Sequence, residues 1–108
     1  MNEKALQDFN LNLLVVFVVL MRERSATRAA KKLSRTQPAV SHSLKCLRTM
    51  LGDDLFTRVN GGIAPTVIAQ TFYNELIPSL ETIERALAKL LSEKAKPQPR
   101  RRGRFRGR

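Results

Sequence analysis

The run from Leu11 to Arg22, LNLLVVFVVLMR, is almost wholly apolar and dense in valine. Periodicity alone does not separate a buried strand from a buried helix in such a run, and we read it as helix. Ser25 suits the N-cap of a second helix whose Ala26, Ala29, Ala30 and Leu33 follow the i, i+3, i+4, i+7 pattern. Its small alanines admit a close neighbour. Ser34-Arg35-Thr36 then breaks the pattern, and Thr36 suits the N-cap of a third helix with Pro38 in its first turn. Val40, Leu44, Leu47 and Leu51 recur at spacings of 4, 3 and 4, and Gly52 suits the C-terminal stop. The opposite face carries Pro38, His42, Lys45 and Thr49, with Gln37, Ser41 and Arg48 on one shoulder and no acid.

Leu55–Val59 reads as a short strand, Asn60-Gly61-Gly62 as a hairpin turn with positive φ, and Ile63–Pro65 as the return. From Thr66 the pattern is helical to about Lys94, with Phe72, Leu76, Leu80, Ile83, Leu87 and Leu90 in a roughly heptad stripe and Pro78 predicting a kink near Asn74. A small domain has too little chain to cover such a stripe, so dimerisation along residues 66–91 is expected. The fold expected is mainly α: a winged helix-turn-helix over residues 1–65, a linker and dimerisation helix over 66–94, and a disordered Arg-rich tail over 95–108.

Charge sharpens this picture. The 108 residues carry 20 Lys and Arg against 9 Asp and Glu, a net charge of +11. Residues 96–108 hold seven bases and no acid, while residues 20–60 hold nine bases against Glu23, Asp53 and Asp54. Such an excess points to a polyanion, although a charged patch by itself also suits a solvated helix face. With two prolines and Phe105 as its one large apolar residue, the tail cannot offset its ordering entropy. The longest apolar run, nine residues from Leu13 to Met21, is about half of what a bilayer-spanning helix needs. No secretory signal is recognisable, and a cytoplasmic, soluble protein without a membrane partner is expected. One cysteine, Cys46, and one histidine, His42, are too few for a protein-only zinc site. No Ser/His/acid set, carboxylate pair or phosphate-cradling glycine loop is recognisable, so neither an enzyme nor a bound cofactor is expected.

The segments Ser25-Ala-Thr-Arg-Ala-Ala-Lys-Lys-Leu33, Thr36-Gln-Pro-Ala-Val-Ser41, Leu44 to Arg48 and Leu51-Gly-Asp-Asp-Leu-Phe-Thr-Arg58 stand in an order and spacing that resemble the DNA-binding region of LysR-type transcriptional regulators. The resemblance covers residues 8–91. Asn10 to Phe17 and Pro65-Thr66 look most like the branch containing nodulation and aromatic-catabolism regulators. It implies a winged helix-turn-helix, a linker helix that pairs antiparallel with its dimer mate, and binding to interrupted palindromes in double-stranded DNA. Three features depart from the family pattern. Arg35 stands at a usually apolar turn position, Ile68-Ala-Gln70 lacks the frequent Ala-Gly pair, and the family's effector domain has no counterpart in these residues. No small-molecule ligand is therefore expected for this chain.

Seven residues are candidates for DNA contact. Thr36 and the free N–H groups behind it suit a phosphate. Gln37 suits a bidentate contact to adenine, Pro38 an apolar contact to a thymine methyl, and Ser41, His42 and Lys45 reach base edges or backbone. The resemblance implies groove reading at Gln37, Pro38, Ser41 and His42, and minor-groove or phosphate contact at Arg58. Taken alone, Gln37 and His42 also suit plain surface positions, and Arg58 a salt bridge to Asp53 or Asp54. Lys45 and Arg48 are near neighbours of Cys46, a setting that favours a reactive thiol, but a lone cysteine forms no intrachain disulfide and no redox switch is expected. The leading expectation is a dimeric, sequence-specific DNA-binding regulator without its own effector domain. The alternatives are a nonspecific nucleic-acid-binding accessory protein that uses the Arg/Gly tail, and a partner that blocks a full-length regulator by forming heterodimers with it.

Overall fold

The computed structural model describes residues 1–95; the tail from residue 96 onward lies outside the described residues. The element order is α1 (Glu3–Asp8), α2 (Asn12–Glu23), α3 (Ala26–Leu33), α4 (Gln37–Leu51), β1 (Phe56–Val59), β2 (Gly62–Pro65) and α5 (Val67–Ala95). The chain divides into two units, Met1–Ile77 and Pro78–Arg108.

In the first unit α2 supplies the centre of the core. Leu13, Val16, Phe17, Val18, Leu20 and Met21 are buried, while Leu11, Val15 and Arg22 are exposed. That outward stripe has helical spacing, which settles the helix-or-strand question: an apolar run with one solvent-facing stripe is a helix lying on its neighbours. Those neighbours are α3 and α4. The caps expected from sequence are in place: Ser25 Oγ accepts from the Arg28 N–H at 3.2 Å, Thr36 Oγ1 from the Ala39 N–H at 3.2 Å, and Gly52 closes α4 at φ 67°. Ser34 takes the left-handed conformation between α3 and α4, and the Arg35 N–H returns to the Ala30 carbonyl at 2.9 Å. This 6→1 closure holds the tight turn of a helix-turn-helix.

β1 and β2 form an antiparallel hairpin with Phe56 opposite Pro65 and Val59 opposite Gly62. The loop is therefore Asn60-Gly61 alone; Gly62, expected in the turn, belongs to β2. Likewise Leu55, expected to open the strand, precedes it in the left-handed region at φ 64°. A branched residue there costs about 1–2 kcal/mol, and Asp53 offsets it: one carboxylate oxygen accepts from the Leu55 N–H and from Thr66 Oγ1, both at 2.8 Å. The Leu55 carbonyl accepts from the Thr66 N–H at 2.8 Å, and Thr66 caps α5 through the Ala69 N–H. The strain aims Leu55 into the core, where it is fully buried.

The sequence pattern treats Phe72 to Leu90 as one uncovered stripe, and here the structure differs. Phe72 packs on Phe17 with ring centroids 5.2 Å apart, Tyr73 lies 6.5 Å from the same ring, and Leu76 is buried. Phe72 and Tyr73 thus lie against the central α2 aromatic, which also meets Phe56 at 6.0 Å. Within the second unit Ile83, Leu87, Leu90 and Leu91 are exposed and Leu80 is half-buried. Helical backbone continues through Pro78 in α5. One element went unanticipated: α1 buries nothing and carries no apolar stripe, being held by the Asn2 cap on the Ala5 N–H and a Lys4–Asp8 ion pair at 3.3 Å.

Candidate nucleic-acid interface

Val40, Ser43, Leu44 and Leu47 turn inward from α4. Every one of Thr36, Gln37, Pro38, Ser41, His42, Lys45 and Arg58 is exposed. The inward stripe is the predicted one with Ser43 added and Leu51 only half-buried, so the helix presents its acid-free side to solvent.

The structure sorts these residues into two groups. Gln37, Ser41 and Arg58 line one cleft of about 330 Å3 between the N-terminus of α3, the first half of α4 and the hairpin. Gln37 Nε2 donates to Ser41 Oγ at 2.8 Å, one turn along. That bond orients the amide and leaves its second N–H and its oxygen for a partner. Ser25 and Thr27 line the other wall, and no acidic residue lines the cleft. His42 and Lys45 belong elsewhere, to a shallow depression shared with Cys46 and Met50 on the outward side of α4. Thr36 and Pro38 stand exposed at the start of the helix and line neither.

Arg58 projects from β1 and is exposed; Asp53 is occupied with Leu55 and Thr66. Neither the Lys4–Asp8 nor the Arg28–Glu23 ion pair involves Arg58. Arg48, on the predicted shoulder, instead pins the hairpin to α4: Nε donates to the Asp54 carbonyl at 2.7 Å and Nη2 to the Phe56 carbonyl at 3.2 Å. Its guanidinium is therefore directed away from Cys46, whose close neighbour is the His42 imidazole. Sequence reasoning missed the α3 wall of the cleft. The Ser25 cap was legible as a helix start, and the phosphate argument made for Thr36 applies equally to the free N–H groups behind Ser25.

The hairpin is anchored at its far end as well. The Ile63 N–H donates to the Arg24 carbonyl at 3.1 Å, and a Cβ built on Gly62 would overlap that carbonyl oxygen. Glycine is required there so that the two backbones can meet. The distance from α4 to the hairpin thus rests on two anchors, Arg48 at one end and Gly62 against Arg24 at the other.

Among the described residues no helix is long and apolar enough to cross a membrane, and no three His, Cys, Asp or Glu side chains form a group able to hold a metal. Residues 11–70 match the lysR family of bacterial regulatory helix-turn-helix proteins. Over 82 residues the chain is 50% identical to the transcriptional activator NagR of Ralstonia sp, covering 76% of this chain and 27% of that protein. It therefore spans about a quarter of the length of this curated relative. Among solved structures, a probable transcriptional regulator of Pseudomonas aeruginosa, PA0477, is 34% identical with a TM-score of 0.74, over 79% of this chain and 28% of that one. The BenM DNA-binding domain in its complex with catB site 1 DNA is 27% identical with a TM-score of 0.73, over 82% of this chain and 100% of that one. With the family match spanning more than half of its length and a helix-turn-helix and wing in the matching order, this chain belongs to the LysR family of bacterial regulatory helix-turn-helix proteins.

Proposed function

We propose that the first unit binds double-stranded DNA in a sequence-specific manner as the DNA-binding part of a transcriptional regulator. The observation that carries this reading is the acid-free cleft in which Gln37 and Ser41 on α4 stand across from the free N–H end of α3, with Arg58 on the hairpin at its edge. A helix entering the major groove supplies base contacts, whereas helix ends and arginines at the flank supply phosphate contacts that set the register. Gln37, already held by Ser41, reads an adenine edge. Thr36 and Ser25 offer phosphate sites, and Arg58 reaches the flanking backbone or a narrow minor groove. The likeness to a DNA-bound BenM domain and the activator role named for NagR support the same assignment.

The proposal extends to a dimer. Ile83, Leu87, Leu90 and Leu91 recur on one side of α5 and are each more than half exposed, a pattern suited to a second copy of the helix. Two copies would read two half-sites. Footprinting tests the whole reading: a protected interrupted palindrome is expected, and uniform protection of unrelated sequences refutes sequence-specific binding.

A further inference from the structure

His42, Cys46 and Met50 stand at i, i+4 and i+8 on the outward side of α4. They line one open depression of about 330 Å3 together with Lys45 and Thr49. His42 Nε2 and Cys46 Sγ are 3.7 Å apart. We propose that these three side chains form a binding site for a soft monovalent cation, Cu(I) or Ag(I), and that its occupancy withdraws this side of α4 from DNA. The second half of the proposal rests on α4 being the groove-reading helix.

Donor chemistry selects the ion. An imidazole nitrogen, a thiolate and a thioether are one donor short of zinc's usual four, but soft sulfur ligands favour Cu(I), and a closed-shell monovalent ion is satisfied by two or three. Geometry agrees. At bond lengths of about 2.0 Å to imidazole and 2.3 Å to thiolate, the 3.7 Å separation corresponds to an N–M–S angle of about 120°. That is the angle of a trigonal site, and Met50, one turn beyond Cys46, exposed and lining the same depression, is the thioether we assign as third ligand. On binding, Cys46 releases its thiol proton to solvent, the sulfur lone pair forms the metal bond, and no electron is transferred. The thiolate and the cation cancel, so no charge is added beside the Lys45 ammonium. His42 becomes tied to its own helix and the ion projects from the face that would enter the groove.

The test is an anaerobic titration of the reduced full chain with Cu(I) against a chromophoric chelator, followed by X-ray absorption of the 1:1 complex. One equivalent should bind with one nitrogen and two sulfurs. Cys46→Ser should abolish this, and His42→Ala and Met50→Leu should each weaken it by about tenfold or more. Equal affinity in His42→Ala, Met50→Leu and the unaltered protein would be that of a bare surface thiol and overturns the site. DNA binding is then measured on the same samples with Ag(I) as the redox-inert probe. One equivalent should lower specific affinity by about tenfold or more, and Cys46→Ser should be insensitive. Undiminished DNA binding by the loaded protein overturns the withdrawal from DNA. Absence of any sequence preference in the metal-free protein refutes the DNA-reading assignment instead, and leaves the titration result standing.

Discussion

Replacing Gly62 by alanine should detach the wing, and the neighbouring glycine provides the control. Gly62 carries φ +157°, and an added Cβ would overlap the Arg24 carbonyl oxygen, the acceptor for the Ile63 N–H at 3.1 Å. The backbones must separate. Losing that hydrogen bond costs about 0.5–1.5 kcal/mol net, and forcing a side chain onto a glycine-only conformation adds about 1–3 kcal/mol, so Gly62→Ala should destabilise by about 2–4 kcal/mol. Gly61 has φ +81° but open space around its Cβ position, so Gly61→Ala carries only the conformational part, about 1–2 kcal/mol. Urea and thermal unfolding of the two variants should differ by about 1–2 kcal/mol, or roughly 4–16 °C for a domain of this size. Arg58 is the cross-strand partner of Ile63; shifting the wing moves its guanidinium, and Gly62→Ala should weaken binding to every DNA sequence. Coincident melting of the two variants would refute the close approach and with it the anchoring of the wing.

Gln37→Ala should remove about 1–3 kcal/mol of discrimination at one base pair and leave affinity for random DNA nearly unchanged, as measured on a mutated operator series. Arg58→Ala should weaken binding to all sequences and make the slope of log K against log salt shallower by about one, measured by repeating the titration at two salt concentrations. Leu87→Glu combined with Leu90→Glu puts charge on exposed positions of α5 and should yield monomers in sedimentation at micromolar concentration. Deleting residues 96–108 removes seven basic side chains; the salt slope should fall by about 0.9 for each phosphate that is no longer neutralised, while the ratio of specific to random binding rises.

What the sequence determined by itself is what depends on near neighbours in the chain. Ser25 and Thr36 cap helices because their oxygens accept from N–H groups three residues on, and Gly52 stops α4 through its own backbone freedom. The inward stripe of α4 follows from its apolar spacing, which leaves Gln37, Pro38, Ser41, His42 and Lys45 exposed on its other side. The arrangement of motifs carried the family.

Tertiary structure decided what depends on partners distant in sequence. Whether residues 11–22 form strand or helix was open until α3 and α4 supplied a surface with room for one outward stripe. Phe72 reads as an interface residue because the 3.5-residue repeat does not distinguish a side chain covered by Phe17, 55 residues earlier, from one awaiting a second copy. Arg48 had the right charge and position for DNA, yet two carbonyls of the following loop and strand claim its guanidinium. Gln37, Ser41 and Arg58 meet around one cleft only because Arg48 and the approach of Gly62 to Arg24 fix the hairpin beside α4. Local pattern reports which side chains share a face, through spacing within one element; which faces meet is set by packing and by backbone hydrogen bonds between elements, and those have no period to read.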